Sequence, residues 1–220
     1  MRKLFEIGGF VAAAVLIAFG IGSIALSIDG RSTVHDSLKL EQIVGTADMT
    51  PTAIAAEAKA AGLTGVDLPT KSVAGKRIDT GERARTFAAY MRIHALEATG
   101  GLTYAQIGKY VAKPGTPAKL TDGHGGTSNA LYAVTDPKTQ RPIENGARDV
   151  WVTETALSTA LNVSYMAEQL AIFGLVVGIA LLLAGIGFGV LAIGGALRSP
   201  DTALTLFRKR GKRPTAVPTA

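Results

Sequence analysis

Hydrophobic positions in this chain gather at its two ends. Ile7–Ile28 and Leu170–Leu197 are unbroken apolar runs of 22 and 28 residues without a single Asp, Glu, Lys, Arg or His. At about 1.5 Å rise per residue, helices made of them reach roughly 33 and 42 Å, against about 30 Å of bilayer hydrocarbon. The pattern predicts a mainly α fold: two transmembrane helices, at least one extended outward as a stalk, carrying a small helical extracytoplasmic domain. The expected organisation is residues 1–6 as a cytoplasmic N-terminus, 7–28 as the first membrane helix, 29–169 as the extracytoplasmic domain, 170–197 as the second membrane helix and 198–220 as a basic cytoplasmic tail.

Small residues punctuate both runs at helical intervals. Gly9, Ala13, Gly20 and Ser27 fall within roughly 40° of one another on a helical wheel, and Gly174, Gly178, Gly185 and Gly189 within roughly 60°. In lipid, helices associate through close backbone approach, so two smooth stripes predict that the helices pack on each other, with homodimerisation as the rival use. Ion paths and proton relays need ionisable groups inside the membrane, and neither run has one. That argues against a channel or transporter formed by this chain alone.

Between the runs the periods are shorter. Val34, Leu38 and Ile43 recur at near-helical spacing, as if the first helix continued outward. Thr50-Pro51 places an N-cap and a proline at N1 ahead of a helix over Pro51–Ala61, with Gly62 as its stop. Asp79-Thr-Gly-Glu82 resembles a capping box with Asp in the capping place, opening a helix to about Thr99 whose inner face is Phe87, Tyr90, Met91 and Ala98. Thr103 is expected to cap a shorter helix through Val111, Lys113–Ser128 reads as an exposed Gly/Pro-rich loop, Leu131–Val134 as a short strand and Asp136-Pro137 as a turn. From Gly146 no breaker occurs until Gly174, and Val150, Leu157, Leu161, Tyr165 and Met166 keep a helical period. One helix from near Ala147 to Leu197 is predicted.

Charge orients this layout. Arg2 and Lys3 flank the first run and Arg198, Arg208, Lys209, Arg210, Lys212 and Arg213 follow the second, while residues 29–169 hold 15 basic and 15 acidic side chains. Cationic flanks mark cytoplasmic segments, so both termini are expected inside. The whole formal charge of +6 sits in the tails. It predicts attraction of the C-terminal tail to anionic inner-leaflet lipids, and a neutral middle domain that does not bind nucleic acid. A second topology stays open: Ser23-Ile24-Ala25 has the small-x-small form of a signal-peptidase site, and cleavage after Ala25 leaves one span. The chain has no cysteine, which removes disulfides, thiolate metal sites and cysteine nucleophiles.

Catalytic motifs are absent from the sequence: it contains no Gly-x-Ser-x-Gly elbow, His-Glu-x-x-His helix or Walker loop. Of the three histidines, His94 stands three residues before Glu97, His124 lies in the glycine-flanked Asp122–Gly126, and His35-Asp36 reads as a solvated pair near the membrane. Arg83, Arg85 and Arg92 read as a wet helix face, with binding of an anionic headgroup or glycan as the rival reading. Trp151 is expected to pack in a core or interface, and Tyr165 to sit at the membrane surface. No catalytic residue, cofactor set or metal set is predicted.

The run Ile43-Val-Gly-Thr-Ala-Asp-Met-Thr-Pro51, together with Tyr90-Met-Arg-Ile-His-Ala-Leu-Glu-Ala-Thr-Gly-Gly101, resembles a group of actinobacterial two-span membrane proteins without established function. The resemblance covers nearly the whole chain and supplies no functional residues. Some members carry the label of an aromatic ring-opening dioxygenase, whose compact His/His/carboxylate iron site has no counterpart motif here. The expected role is a non-enzymatic, membrane-anchored protein of the cell envelope whose helical domain contacts another envelope protein or serves as an accessory subunit, with a homodimer as the other assembly. The alternative is an extracytoplasmic enzyme, or a ligand or metal sensor, using His94, Glu97 and His124 on lipid or cell-wall substrates.

Overall fold

The computed structural model describes residues 2–194. The predicted tail, 198–220, lies outside the described residues. The fold is mainly helical: α1 (Arg2–Leu40), α2 (Pro51–Ala60), α3 (Gly81–Ala98) and α4 (Ala147–Ile193), with a two-stranded antiparallel ladder of β1 (Tyr110–Val111) and β2 (Gly126–Thr127). Both α1 and α4 are long and apolar enough to cross a membrane. Two compact units are present, one formed by the segments up to Ile28 and from Ile172, the other by Asp29–Ala171.

In the first unit the small residues form the seam between α1 and α4. Gly9, Ala13, Gly20 and Ser27 are buried, as are Gly178 and Gly185, while Gly174 and Gly189 are half-buried. A Cβ on Gly20 would stand 2.7 Å from the Leu182 backbone nitrogen, and one on Gly185 would stand 2.9 Å from that of Ile17. The backbones meet where side chains are missing. Ser23 Oγ also donates to the Gly174 carbonyl across the seam at 2.8 Å, a polar contact that a membrane helix pair tolerates because both partners are satisfied.

The second unit is built on a core of Met49, Ile54, Val73, Ile78, Phe87, Tyr90, Ile93, Leu96, Ile107, Trp151 and Leu161. Thr50 caps α2 by accepting from Ala53 N–H, Pro51 takes the first helical position, and Gly62 (φ +69°) supplies the left-handed stop. For α3 the cap is Thr80, which accepts from Arg83 N–H; Asp79 instead pairs with the Arg83 guanidinium at 2.6 Å. Its inner face is Ala84, Phe87, Ala88, Tyr90, Ile93 and Leu96, with Met91 half-buried and Ala98 exposed rather than buried. Val34 and Leu38 pack on this core from α1, whereas Ile43 lies beyond the helix and takes a hydrogen bond from Ile78 N–H on its carbonyl. On α4 the buried stripe runs Trp151, Glu154, Leu161, Glu168, so two of its members are carboxylates, while Val150 and Met166, which the periodicity had picked out, are exposed.

Residues 100–146 depart most from the expected elements. Thr103 opens a single turn, closed by its hydroxyl and N–H donating to the Gln106 side-chain Oε1, and the predicted helix ends there. Gly108 lies too close to the Thr127 backbone for any side chain, and the chain after it joins the ladder as β1. Asn129 accepts from Leu131 N–H and so nucleates a short 3₁₀ turn over Ala130–Tyr132 where a strand was predicted; only Ala133 bridges back, to Ala112. The turn at Asp136-Pro137 forms as predicted, its carboxylate accepting from Lys138 and Thr139 N–H.

Asp122 organises this region. Its carboxylate accepts three backbone N–H groups, from Gly108, His124 and Gly126, each at 2.8 Å. Burial pushes the Asp122 carboxyl up, but the three N–H donors outweigh it, and the group ionises below the ordinary carboxylate range. Because the folded value is depressed, the contribution to stability is fully present above the unfolded value of about 3.9 and is lost as pH falls through the folded one. Asp122→Asn keeps one acceptor oxygen and turns an NH₂ toward a backbone donor. It should lower stability by about 1–3 kcal/mol at neutral pH and flatten the acid limb of the stability profile. Urea titrations of both proteins at pH 3 and pH 7 measure both effects.

Candidate functional site

Two groupings of charged side chains occur inside the Asp29–Ala171 unit. One centres on Glu168, a carboxylate only 5% exposed. Its Oε1 takes His35 Nε2 at 2.8 Å and Arg31 Nε at 3.2 Å, and its Oε2 takes the Gly81 N–H at 2.6 Å. The N-terminal end of α3 favours an anion by its unpaired N–H groups, and Gly81 lets it approach: a Cβ there would stand 2.8 Å from Tyr165 Cα. Both oxygens are engaged by α1 and α3. This is a latch among three helices, with both carboxylate oxygens committed to groups of the chain itself. His35 thus belongs to a buried pair rather than to a solvated one with Asp36, which pairs instead with Lys39.

The other grouping joins Asp48, Glu57 and His94. Thr46–Asp48 form a turn before α2, closed by Met49 N–H on the Thr46 carbonyl. Glu57 projects from α2 and His94 from α3, the two helices that share the core through Ile54, Ala58, Tyr90 and Ile93. His94 Nε2 lies 3.1 Å from Asp48 Oδ2 and 3.4 Å from Glu57 Oε2. One ligand atom from each of the three residues falls within 4.8 Å of the others. Side-chain exposures of 39, 31 and 25% for Asp48, Glu57 and His94 keep the group reachable from solvent, although the His94 Nε2 atom itself is shut off and has no hydrogen-bond partner. The Thr46 side chain, ahead of an opposing effect of burial, holds the Asp48 carboxyl below its ordinary value, with a smaller contribution from His94.

The residues singled out from sequence are redistributed. Glu97 is exposed and does not join the His94 group. His124 packs its ring against Gly100, whose positive φ of 64° and missing side chain make room for it. Arg85 lies 4.7 Å above the Tyr165 ring and Arg92 5.1 Å from the Trp151 ring, so these cations cover aromatic faces of α4. Trp151 is buried and its indole N–H donates to the Leu102 carbonyl at 2.6 Å and to Thr99 Oγ1 at 3.2 Å, tying α4 to the end of α3.

Sequence spacing did not reveal either grouping. Asp48 and His94 are 46 positions apart, with no motif linking them. One histidine with two carboxylates also differs from the two-histidine, one-carboxylate set of non-haem iron oxygenases. Comparison with protein-family models, with curated proteins and with solved structures finds no match for this chain.

Proposed function

We propose that this chain is a two-pass membrane protein of the cell envelope, with both termini cytoplasmic and residues 29–169 forming an extracytoplasmic, non-enzymatic interaction or accessory domain. The observation that carries this reading is the polarity of the unit built from the segments up to Ile28 and from Ile172. Its interior holds small residues, while Phe10, Phe19, Leu26, Phe173, Val176, Leu183 and Val190 face outward, Phe19 at 68% and Phe173 at 66% exposure. In water each such side chain would forgo about 1.5–3 kcal/mol of burial. Hydrocarbon removes that cost, and the uncharged lengths suit a bilayer. Cationic flanks support the orientation, and the tail 198–220 supplies charge for anionic inner-leaflet lipids. The resemblance to actinobacterial two-span proteins is in keeping with this layout. The balanced charge of the 29–169 segment favours a protein partner over a polyanion.

Cysteine accessibility tests the topology on a background free of native cysteine. Ser128 is exposed, so Ser128→Cys should react with a membrane-impermeant maleimide on intact cells, and Thr215→Cys only after lysis. The reverse pattern overturns the orientation. A mature protein that starts at Leu26 establishes the cleaved, single-span form instead. Capture of a defined envelope partner by the 29–169 segment in detergent extracts supports the accessory role, and exchange between differently tagged copies would make that partner a second copy.

A further inference from the structure

We infer that Asp48, Glu57 and His94 form a binding site for one divalent transition ion of the zinc class, in the seam where α2 and the turn before it meet α3. Zinc sits about 2.0–2.2 Å from nitrogen and oxygen ligands, which in a tetrahedral centre puts neighbouring ligand atoms about 3.3–3.6 Å apart. The 3.1 and 3.4 Å separations of Asp48 Oδ2 and Glu57 Oε2 from His94 Nε2 are close to that spacing. Small rotations of three side chains are enough to place an ion among them.

The second observation is the state of His94 Nε2. It is sealed from solvent and lacks a hydrogen-bond partner, although two carboxylates stand within 3.4 Å, because neither lies in line with a ring N–H. A buried polar atom without a partner is uncommon in folded proteins and calls for an explanation. As a lone pair aimed between two carboxylates, that nitrogen is a metal ligand. Two carboxylates and one imidazole converge on this point, a set of donors that a divalent cation would hold together.

The donor set narrows the ion. Imidazole nitrogen with carboxylate oxygen suits zinc and its first-row neighbours; magnesium and calcium prefer oxygen ligands alone, and copper(I) prefers thiolate or thioether sulfur, which is not among these three ligands. Support for the ligands is rigid. Glu57 and His94 project from two packed helices, and α2 begins two residues after Asp48 at the Thr50 cap. Three protein ligands leave one tetrahedral position for water or for a group supplied by a partner.

The test uses the full-length, tag-free chain in detergent micelles, stripped with a chelator and titrated with zinc chloride. Bound metal is counted by elemental analysis after gel filtration, and heat release gives the affinity. One zinc per chain is expected, without competition from excess magnesium. His94→Ala should abolish binding. Asp48→Asn and Glu57→Gln should each weaken it by at least the 10–100-fold that loss of even an outer-shell partner causes, and His124→Ala should leave it unchanged. Circular dichroism and Trp151 emission report whether each variant is folded; if His94→Ala is not, the isosteric Glu57→Gln on a half-exposed helix face decides. Absence of stoichiometric zinc from the folded wild-type chain overturns the site, as does binding that survives all three ligand substitutions.

Discussion

Replacing Glu168 by leucine is expected to destabilise the Asp29–Ala171 unit by at least about 1–3 kcal/mol, the cost of leaving a buried donor without its acceptor. Leucine fills much of the space but offers no acceptor. The Gly81 N–H, now 2.6 Å from Oε2, would be left buried and unpaired at the start of α3, which costs about 1–3 kcal/mol by itself. His35, only 23% exposed, loses its 2.8 Å partner as well. Arg31 matters less, since its side chain is more than half exposed and returns to water. Glu168→Gln separates these contributions: its one carbonyl oxygen serves either Gly81 or His35, and its cost should fall near 1–3 kcal/mol. Urea unfolding in micelles, followed by emission of the chain's one tryptophan, measures both variants. An unchanged midpoint for Glu168→Leu would show that the latch contributes nothing.

Elements governed by local physics are legible in this sequence. The two apolar runs, the Thr50-Pro51 start and the Gly62 stop depend on composition and on residues within one helical turn. The structure forms α1, α2 and α4 close to the predicted places, with α4 running from Ala147 to Ile193. One step of register separates the Asp79 cap predicted for α3 from the Thr80 cap observed. Both residue types cap helices, and the pairing of Asp79 with Arg83 decides between them.

Residues 100–146 are not legible in the same way because distant contacts shape them. Gly108 belongs to a ladder only because Asp122, 14 positions later, takes its N–H and Thr127 lies against it. Two-residue strands leave no alternation to read. The candidate sites are hidden for a related reason. Glu168 falls just before an apolar run and has no period that marks it as buried, and its partners are contributed by α1 and by the start of α3. Asp48, Glu57 and His94 come from a turn and two helices. A local signal did exist for His94, since it occurs on α3 among Tyr90, Ile93 and Leu96, all buried. A polar residue on the shoulder of an apolar face deserves a search for partners across the fold, and Glu97, three positions on, points away from that face.

Gly178→Leu should pry apart α1 and α4 in the apolar unit, and Gly187→Leu should not. At Gly178 a Cβ would already stand 2.8 Å from Ile24 Cγ1 and 3.0 Å from both the Gly20 carbonyl oxygen and the Ile24 nitrogen, and two of those three neighbours are backbone that cannot turn aside. The remainder of a leucine side chain has nowhere to go unless the helices separate. Overpacking of this kind costs about 1–3 kcal/mol in ordinary cores, where side chains yield, and the expected loss here lies at or above the top of that range. Gly187 is on the same helix with nothing within 4 Å, so the same substitution there adds equal bulk and equal apolarity without touching the seam. A disulfide reads the separation: Ala13 Cβ is 3.8 Å from the Cβ position of Gly189, within the range of about 3.5–4.5 Å that a disulfide requires. Ala13→Cys with Gly189→Cys should therefore cross-link within one chain under mild oxidation. Adding Gly178→Leu should suppress that product, while adding Gly187→Leu leaves it intact. Cross-links found only between chains would assign the stripes to dimerisation, and equal cross-linking in both variants would mean that the glycine seam does not hold the helices together.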